Sequence, residues 1–184
     1  MRQNHTFLVH GRRSPRAVAA AGADFAILAT NTMHKVLPRI VSPVPVLHIL
    51  DAVRDHANAA GVRRLGLTGT GFTMSDGFYQ QELQRRGLAV VLPVPEEQAE
   101  IHRIIYEELI IGNVAPASVA YFATIASNLA GRGAEAVLLA CTELELLTRG
   151  GPLSVPFLDT TRIHADAAWE VAVGRRPLLP GISA

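Results

Sequence analysis

Cys141 is the one thiol in the 184-residue chain, and a thiol is the side chain most readily tuned to carry a proton or attack an electrophile near neutral pH. A lone cysteine is most often a small buried hydrophobe, so its surroundings must decide between the two roles. Cys141 ends the apolar run Ala136 to Ala140 and precedes Thr142-Glu143. Comparing the chain with itself supplies a counterpart. Gly22-Ala-Asp-Phe-Ala-Ile-Leu-Ala-Thr30 aligns with Gly133-Ala-Glu-Ala-Val-Leu-Leu-Ala-Cys141, and Val44-Pro-Val-Leu47 falls on Val155-Pro-Phe-Leu158 at the same spacing of 111 residues. Thr30 therefore stands where Cys141 stands, and Asp55 falls on Asp166 in the helices that follow. Two proton-handling groups on opposite sides of a carbon suit stereoinversion: one removes a proton from one face, and the other supplies one from behind.

The elements that must position this pair alternate. Short apolar runs at 24–29, 44–47, 65–68, 88–92, 136–140 and 155–158 predict strands. Longer periodic stretches at 49–60, 73–86, 96–111, 117–129, 143–147 and 161–173 predict helices, several closed by glycine. Strands separated by helices imply parallel sheets. The expected fold is α/β, with two pseudo-symmetric parallel-sheet halves: residues 1–46 with 155–184, and residues 47–154. Strands 65–68 and 88–92 precede the second repeat unit and have no counterparts before the first. The first half is therefore expected to lack its N-terminal strands. Carboxyl ends of parallel strands bind ligands in such folds, and the amides opening the next helix suit a carboxylate.

Composition narrows the function. The chain is 49% hydrophobic and 18% charged with a formal net charge of +1, which offers no electrostatic footprint for nucleic acid or an anionic membrane. No apolar run reaches the roughly 20 residues of a membrane span, and residues 1–15 hold no secretory h-region; a cytoplasmic setting is the default. One cysteine excludes an internal disulfide and a cysteine-rich zinc site. The seven histidines show no metal-binding spacing and read as core or surface residues, except His164, which is a candidate for the cleft. His34 and Lys35, in the first helical turn after Thr30, are either structural or shape the cleft. The Gly69-Thr70-Gly71 turn lacks the lysine of a phosphate-binding loop, and Arg12-Arg13 reads as a solvated tail.

Thr30-Asn31-Thr32-Met33-His34-Lys35 and Cys141-Thr142-Glu143-Leu144 resemble the paired signatures of the aspartate/glutamate/hydantoin racemase family. Gly69-Thr-Gly-Phe-Thr-Met74, Arg103-Ile-Ile-Tyr-Glu-Glu-Leu109 with Gly112, and Asp159-Thr-Thr-Arg-Ile-His164-Ala165 add to the likeness, which spans roughly residues 17 to 174. The resemblance implies an aspartate racemase-like fold and an isomerase free of pyridoxal and metal. It implies two-base proton transfer at Cα of a small amino acid, aspartate or glutamate, and a homodimer. Carried over, Thr30 and Cys141 are the catalytic pair. Asn31, Thr32, Thr142 and Glu143 hold the α-carboxylate and amine, Thr70 and Thr73 contact the substrate, and His164 sits on the Cys141 side. The family usually has a thiol at the first position. A hydroxyl is a far poorer base, so Cys141 is expected to abstract from one enantiomer faster than Thr30 does from the other. Alternatives within the fold are hydantoin racemase, maleate isomerase and malonate decarboxylase chemistry. A further alternative is an inactive, truncated remnant serving as a binding or interaction module.

Overall fold

A computed structural model of the chain describes residues 15–149 and 154–177; Arg12-Arg13 and the outer ends of the expected first half lie outside them. Among the described residues six strands, all paired in parallel, form two sheets. β1 (Ala26–Ile27) and β2 (Val46–Leu47) make the small one. β3 (Arg64–Thr68), β4 (Ala89–Val91), β5 (Ala136–Leu139) and β6 (Phe157–Asp159) make the large one, in the order β4-β3-β5-β6.

The apolar runs have no alternation because the large sheet is covered on both faces. Ala136 and Leu138 of β5, with Leu65 and Leu67 of β3, face a core closed by α1 (Ile49–Ala59), α3 (Phe78–Arg85) and α7 (Thr160–Ala172). Val137 and Leu139 face the other core, built from α2 (Gly71–Ser75), α4 (Pro95–Glu107), α5 (Pro116–Gly131) and α6 (Glu145–Thr148). Each leucine or isoleucine buried this fully contributes about 1.5–3 kcal/mol.

The small sheet and the β5–β6 pair share one register. Ala26 is opposite Val46, and Val137 is opposite Phe157; 137 and 26 differ by 111, as do 157 and 46. The correspondence runs on into the helices. His48 caps α1 by accepting the Leu50 N–H, and Asp159 caps α7 by accepting the Thr161 N–H. The two capped helices pack against each other.

Four local features differ from the expected elements. β1 is two residues long, because the Thr30 N–H turns back to the Leu28 carbonyl at 2.8 Å and leaves the sheet. The helix expected over 73–86 is two helices, α2 and α3, separated at Gly77, whose φ of +80° is left-handed. The helix expected over 96–111 ends at Glu107, and Leu109–Ile111 form a 3-10 turn. The segment 155–184, grouped by its sequence with the first half, contributes its strand β6 to the large sheet.

One buried polar chain joins the small sheet's loop to the large sheet. The Tyr79 hydroxyl donates to Asn31 Oδ1 at 2.5 Å. Asn31 Nδ2 donates to Thr160 Oγ1 at 3.0 Å, and Thr160 Oγ1 donates to the Leu139 carbonyl at 2.9 Å. Tyr79 and Thr160 are fully buried and Asn31 nearly so, and a group stranded there loses its bond with no water to replace it. Asn31→Leu is expected to cost about 1–3 kcal/mol in urea unfolding. Tyr79→Phe in that background should then add little, because the hydroxyl has already lost its acceptor. Additive losses from the two substitutions would contradict the coupling.

Candidate active site

A cleft of about 700 Å³ opens at the carboxyl ends of β1 and β5. Thr30 follows β1, Cys141 follows β5, and both line it. Each precedes a 3-10 helix, Thr32–Arg39 after the first and Thr142–Leu144 after the second. The opening amides of such helices have no carbonyl partner within the helix, so both ends of the cleft offer donors suited to a carboxylate.

Thr30 is held from both sides of its main chain. Its N–H goes to Leu28, and its carbonyl accepts from His34 Nδ1 at 2.8 Å. The proton is assigned to Nδ1 because Nε2 of the same ring accepts the Ile49 N–H at 3.1 Å. His34 is thus a neutral brace between the Thr30 loop and the start of α1. Its ring packs edge-on to His48 and His164, with centroids 4.5 and 5.8 Å away.

Cys141 is partly buried, and its Sγ–H donates to Glu143 Oε2 at 3.0 Å. Burial and then the Glu143 hydrogen bond push the thiol up to about 12. For Glu143, burial acts upward, but the bonds from Cys141 and Thr142 prevail and hold its carboxyl below the usual range. Near neutral pH the pair is a protonated thiol beside a carboxylate.

Thr32, Thr70, Thr73, Thr142 and His164 line the same cleft. Glu143 reaches it through Cys141. Asn31 also lines it, with its amide oxygen accepting from Tyr79 and one of its two amide N–H groups donating to Thr160. Thr70 caps α2, and its Oγ1 lies 3.2 Å from the Thr73 hydroxyl. His164 Nε2 donates to the Leu47 carbonyl at 2.9 Å, which leaves Nδ1 unprotonated in the neutral ring. Gly69 permits the close approach of these segments: a Cβ there would meet Thr73 Cβ at 3.1 Å and the Ala140 carbonyl at 3.2 Å.

Sequence reasoning passed over one wall of the cleft, formed by Phe72 and Tyr106. His102 supports it, accepting the Gly71 N–H at 3.1 Å and packing 4.6 Å from the Tyr106 ring. The available signal was the spacing of His102 and Tyr106, four apart on one face of α4. Arg39 was also passed over. It lines the cleft with Lys35, and these two carry the permanent charges among the described lining residues.

The matching family model is the one described as Asp/Glu/hydantoin racemase, over residues 12–168. The chain belongs to this family. It is similar to an Asp/Glu racemase-type protein from Yersinia pestis, at 35% identity and a TM-score of 0.86, with 92% of this chain and 75% of that one covered. An aspartate racemase homologue from Pyrococcus horikoshii OT3 matches at 36% identity and a TM-score of 0.81, covering 88% of this chain and 72% of that one. The Picrophilus torridus aspartate racemase, at 21% identity and a TM-score of 0.67, covers 90% and 68% and shares the fold. Among the described residues no helix of this family member is long and apolar enough to cross a membrane.

Two predictions follow from the buried groups around the cleft. His34 is pushed down to about 3 by burial and then by His48, and His48 to about 3 by burial and then by Arg86. In the unfolded chain both rings take up protons near 6.5. The folded state is therefore favoured above that pH and loses stability as pH falls from 6.5 toward 3. Unfolding free energies from urea titrations at pH 7.5 and 5.5 should differ by about 1–3 kcal/mol, before most carboxylates titrate; an unchanged value would contradict neutral burial. For Cys141, iodoacetamide labelling should be slow at pH 7–8 and accelerate only in strongly alkaline buffer. Glu143→Gln removes a charge that holds the proton on sulfur, so it should increase labelling at pH 9. Fast labelling of the unsubstituted protein at pH 7 would refute the protonated pair.

Proposed function

We propose that the chain is a racemase of a small acidic amino acid, aspartate or glutamate, moving protons at Cα between Cys141 and Thr30 without pyridoxal or metal. The observation that carries this reading is that the two residues follow equivalent strands of two sheets and line one cleft. The shared register, the matching caps on α1 and α7 and the 111-residue spacing support an origin in two duplicated halves. In that reading β1 and β2 belong to a half with two described strands, beside a sheet of four. A homodimer is part of the proposal, with exposed Ile111 and Trp169 supplying apolar surface.

In the proposed reaction the α-carboxylate lies across the amides after Thr30 and Cys141, and the amine faces Glu143. The ammonium group offsets the Glu143 charge and so lowers the barrier to thiolate formation. The Cys141 proton passes to cleft water, and the thiolate takes the proton from Cα. Thr30 then delivers a proton to the opposite face and regains one from cleft water. Thr32, Thr142, Thr70 and Thr73 orient the substrate by their hydroxyls and main chain, and His164 packs beside the Cys141 side. The route through Cys141 starts with a thiol, whereas the reverse route starts with a hydroxyl, so the two directions are unequal.

A second reading has one specific support. A protonated lone thiol is a ready donor, which suits malonate decarboxylation, where Cys141 would only protonate the carbanion left by carbon dioxide.

Incubation in deuterated water separates the readings. Reduced protein should exchange the Cα proton of aspartate or glutamate, faster from one enantiomer. Cys141→Ala should lower the rate about 10²-fold or more, and Thr30→Cys should speed the slower direction. No exchange from either enantiomer would sink the racemase reading, and carbon dioxide release from a substituted malonate would favour the second.

A further inference from the structure

Lys35 and Arg39 lie on the 3-10 helix that begins just after Thr30, and both line the cleft. Among the described lining residues no carboxylate faces them. The wall contributed by Phe72 and Tyr106 is aromatic and carries no charge. An anionic group entering beyond the Thr30–Cys141 region therefore has these two cations as its charged partners. Lys35 is already engaged: Nζ lies 2.9 Å from Asp76 Oδ2 at the end of α2. Both side chains are over 40% exposed, and an ion pair this exposed is weak and exchanges readily. Lys35 also borders the small cavity lined by Asp76, Thr32 and Phe78, so the residue borders both this cavity and the cleft. A second carboxylate entering there competes with Asp76 for the one ammonium.

We propose that Lys35 and Arg39 form a specificity subsite for the distal carboxylate of a dicarboxylic substrate, and that Asp76 occupies Lys35 until the substrate displaces it. The proposal rests on the racemase reading for the placement of the α-carboxylate at the helix amides. In this arrangement one carboxylate of the ligand lies at those amides and the other pairs with Lys35, with Arg39 four residues further along the same helix. A monocarboxylate fills only the first position and leaves the Lys35–Asp76 pair closed. Asp76 thus acts as an internal competitor, and removing its charge strengthens dicarboxylate binding.

The test is isothermal titration of the full chain with succinate and with butyrate at low ionic strength. Succinate should bind the unsubstituted protein at least tenfold more tightly than butyrate. Lys35→Gln should remove most of that preference, and Arg39→Gln should reduce it. Asp76→Asn should raise succinate affinity severalfold while leaving butyrate unchanged, a gain that misfolding does not mimic. Equal or absent binding of the two acids by the unsubstituted protein, an intact preference in Lys35→Gln, or no gain in Asp76→Asn would overturn the proposal. Cα exchange is read separately. Exchange without any preference for succinate removes the subsite and leaves the racemase reading standing. A succinate preference without exchange from any amino acid does the reverse.

Discussion

The hydrogen-bonded chain from Tyr79 through Asn31 and Thr160 to the Leu139 carbonyl sets the spacing on which the cleft depends. Asn31 adjoins Thr30, and Leu139 lies two residues before Cys141, so the chain ties together the two loops that carry the candidate proton carriers. Its members come from α3, from the loop after β1, from the start of α7 and from β5. Each is buried away from water, where an unmade bond is far more costly than a made one is favourable. The small sheet has only two strands of two residues among the described segments, too little backbone pairing to orient itself. Directional bonds from a side chain do that instead.

The same economy of charge governs the groups around the cleft. His34, His48 and His164 cluster behind Thr30, yet every ring nitrogen assigned a partner meets a main-chain group. That arrangement keeps the rings neutral and turns them into braces. Cys141 rests protonated because burial and Glu143 act in the same direction. The positive charges among the described lining residues are left at Lys35 and Arg39. A cleft of this kind draws an anion toward its two cations, and the charge held against the thiol is the Glu143 carboxylate.

Much of this was legible in the residues. The 111-residue repeat placed Thr30 opposite Cys141 in sequence terms, and the structure keeps the same offset in strand register. The alternation of apolar runs with helical periods gave the parallel α/β class, because burial on both faces removes polar positions from a strand. Other features were not legible. Gly77 breaks a helix that periodicity carries through, since a left-handed residue leaves the hydrophobic pattern intact. The resemblance made Asn31 a candidate substrate ligand, and only the fold shows its amide also bonded to Tyr79 and Thr160. Segment 155–184 has its strand in the large sheet because strand partners depend on sheet order, which a linear pattern does not encode.

The sequence by itself determined the local matters: which runs form strands, which stretches are helical, and which two residues occupy equivalent places after a strand. Those follow from periodicity, capping chemistry and internal repetition, all of them short-range. Only the tertiary structure decided which polar groups are free. Whether Asn31, His34, Lys35 or Glu143 faces a ligand or a neighbour depends on contacts between segments up to 129 residues apart. Likewise, the protonation of Cys141 comes from burial and a carboxylate 3.0 Å away, and both are properties of the folded site.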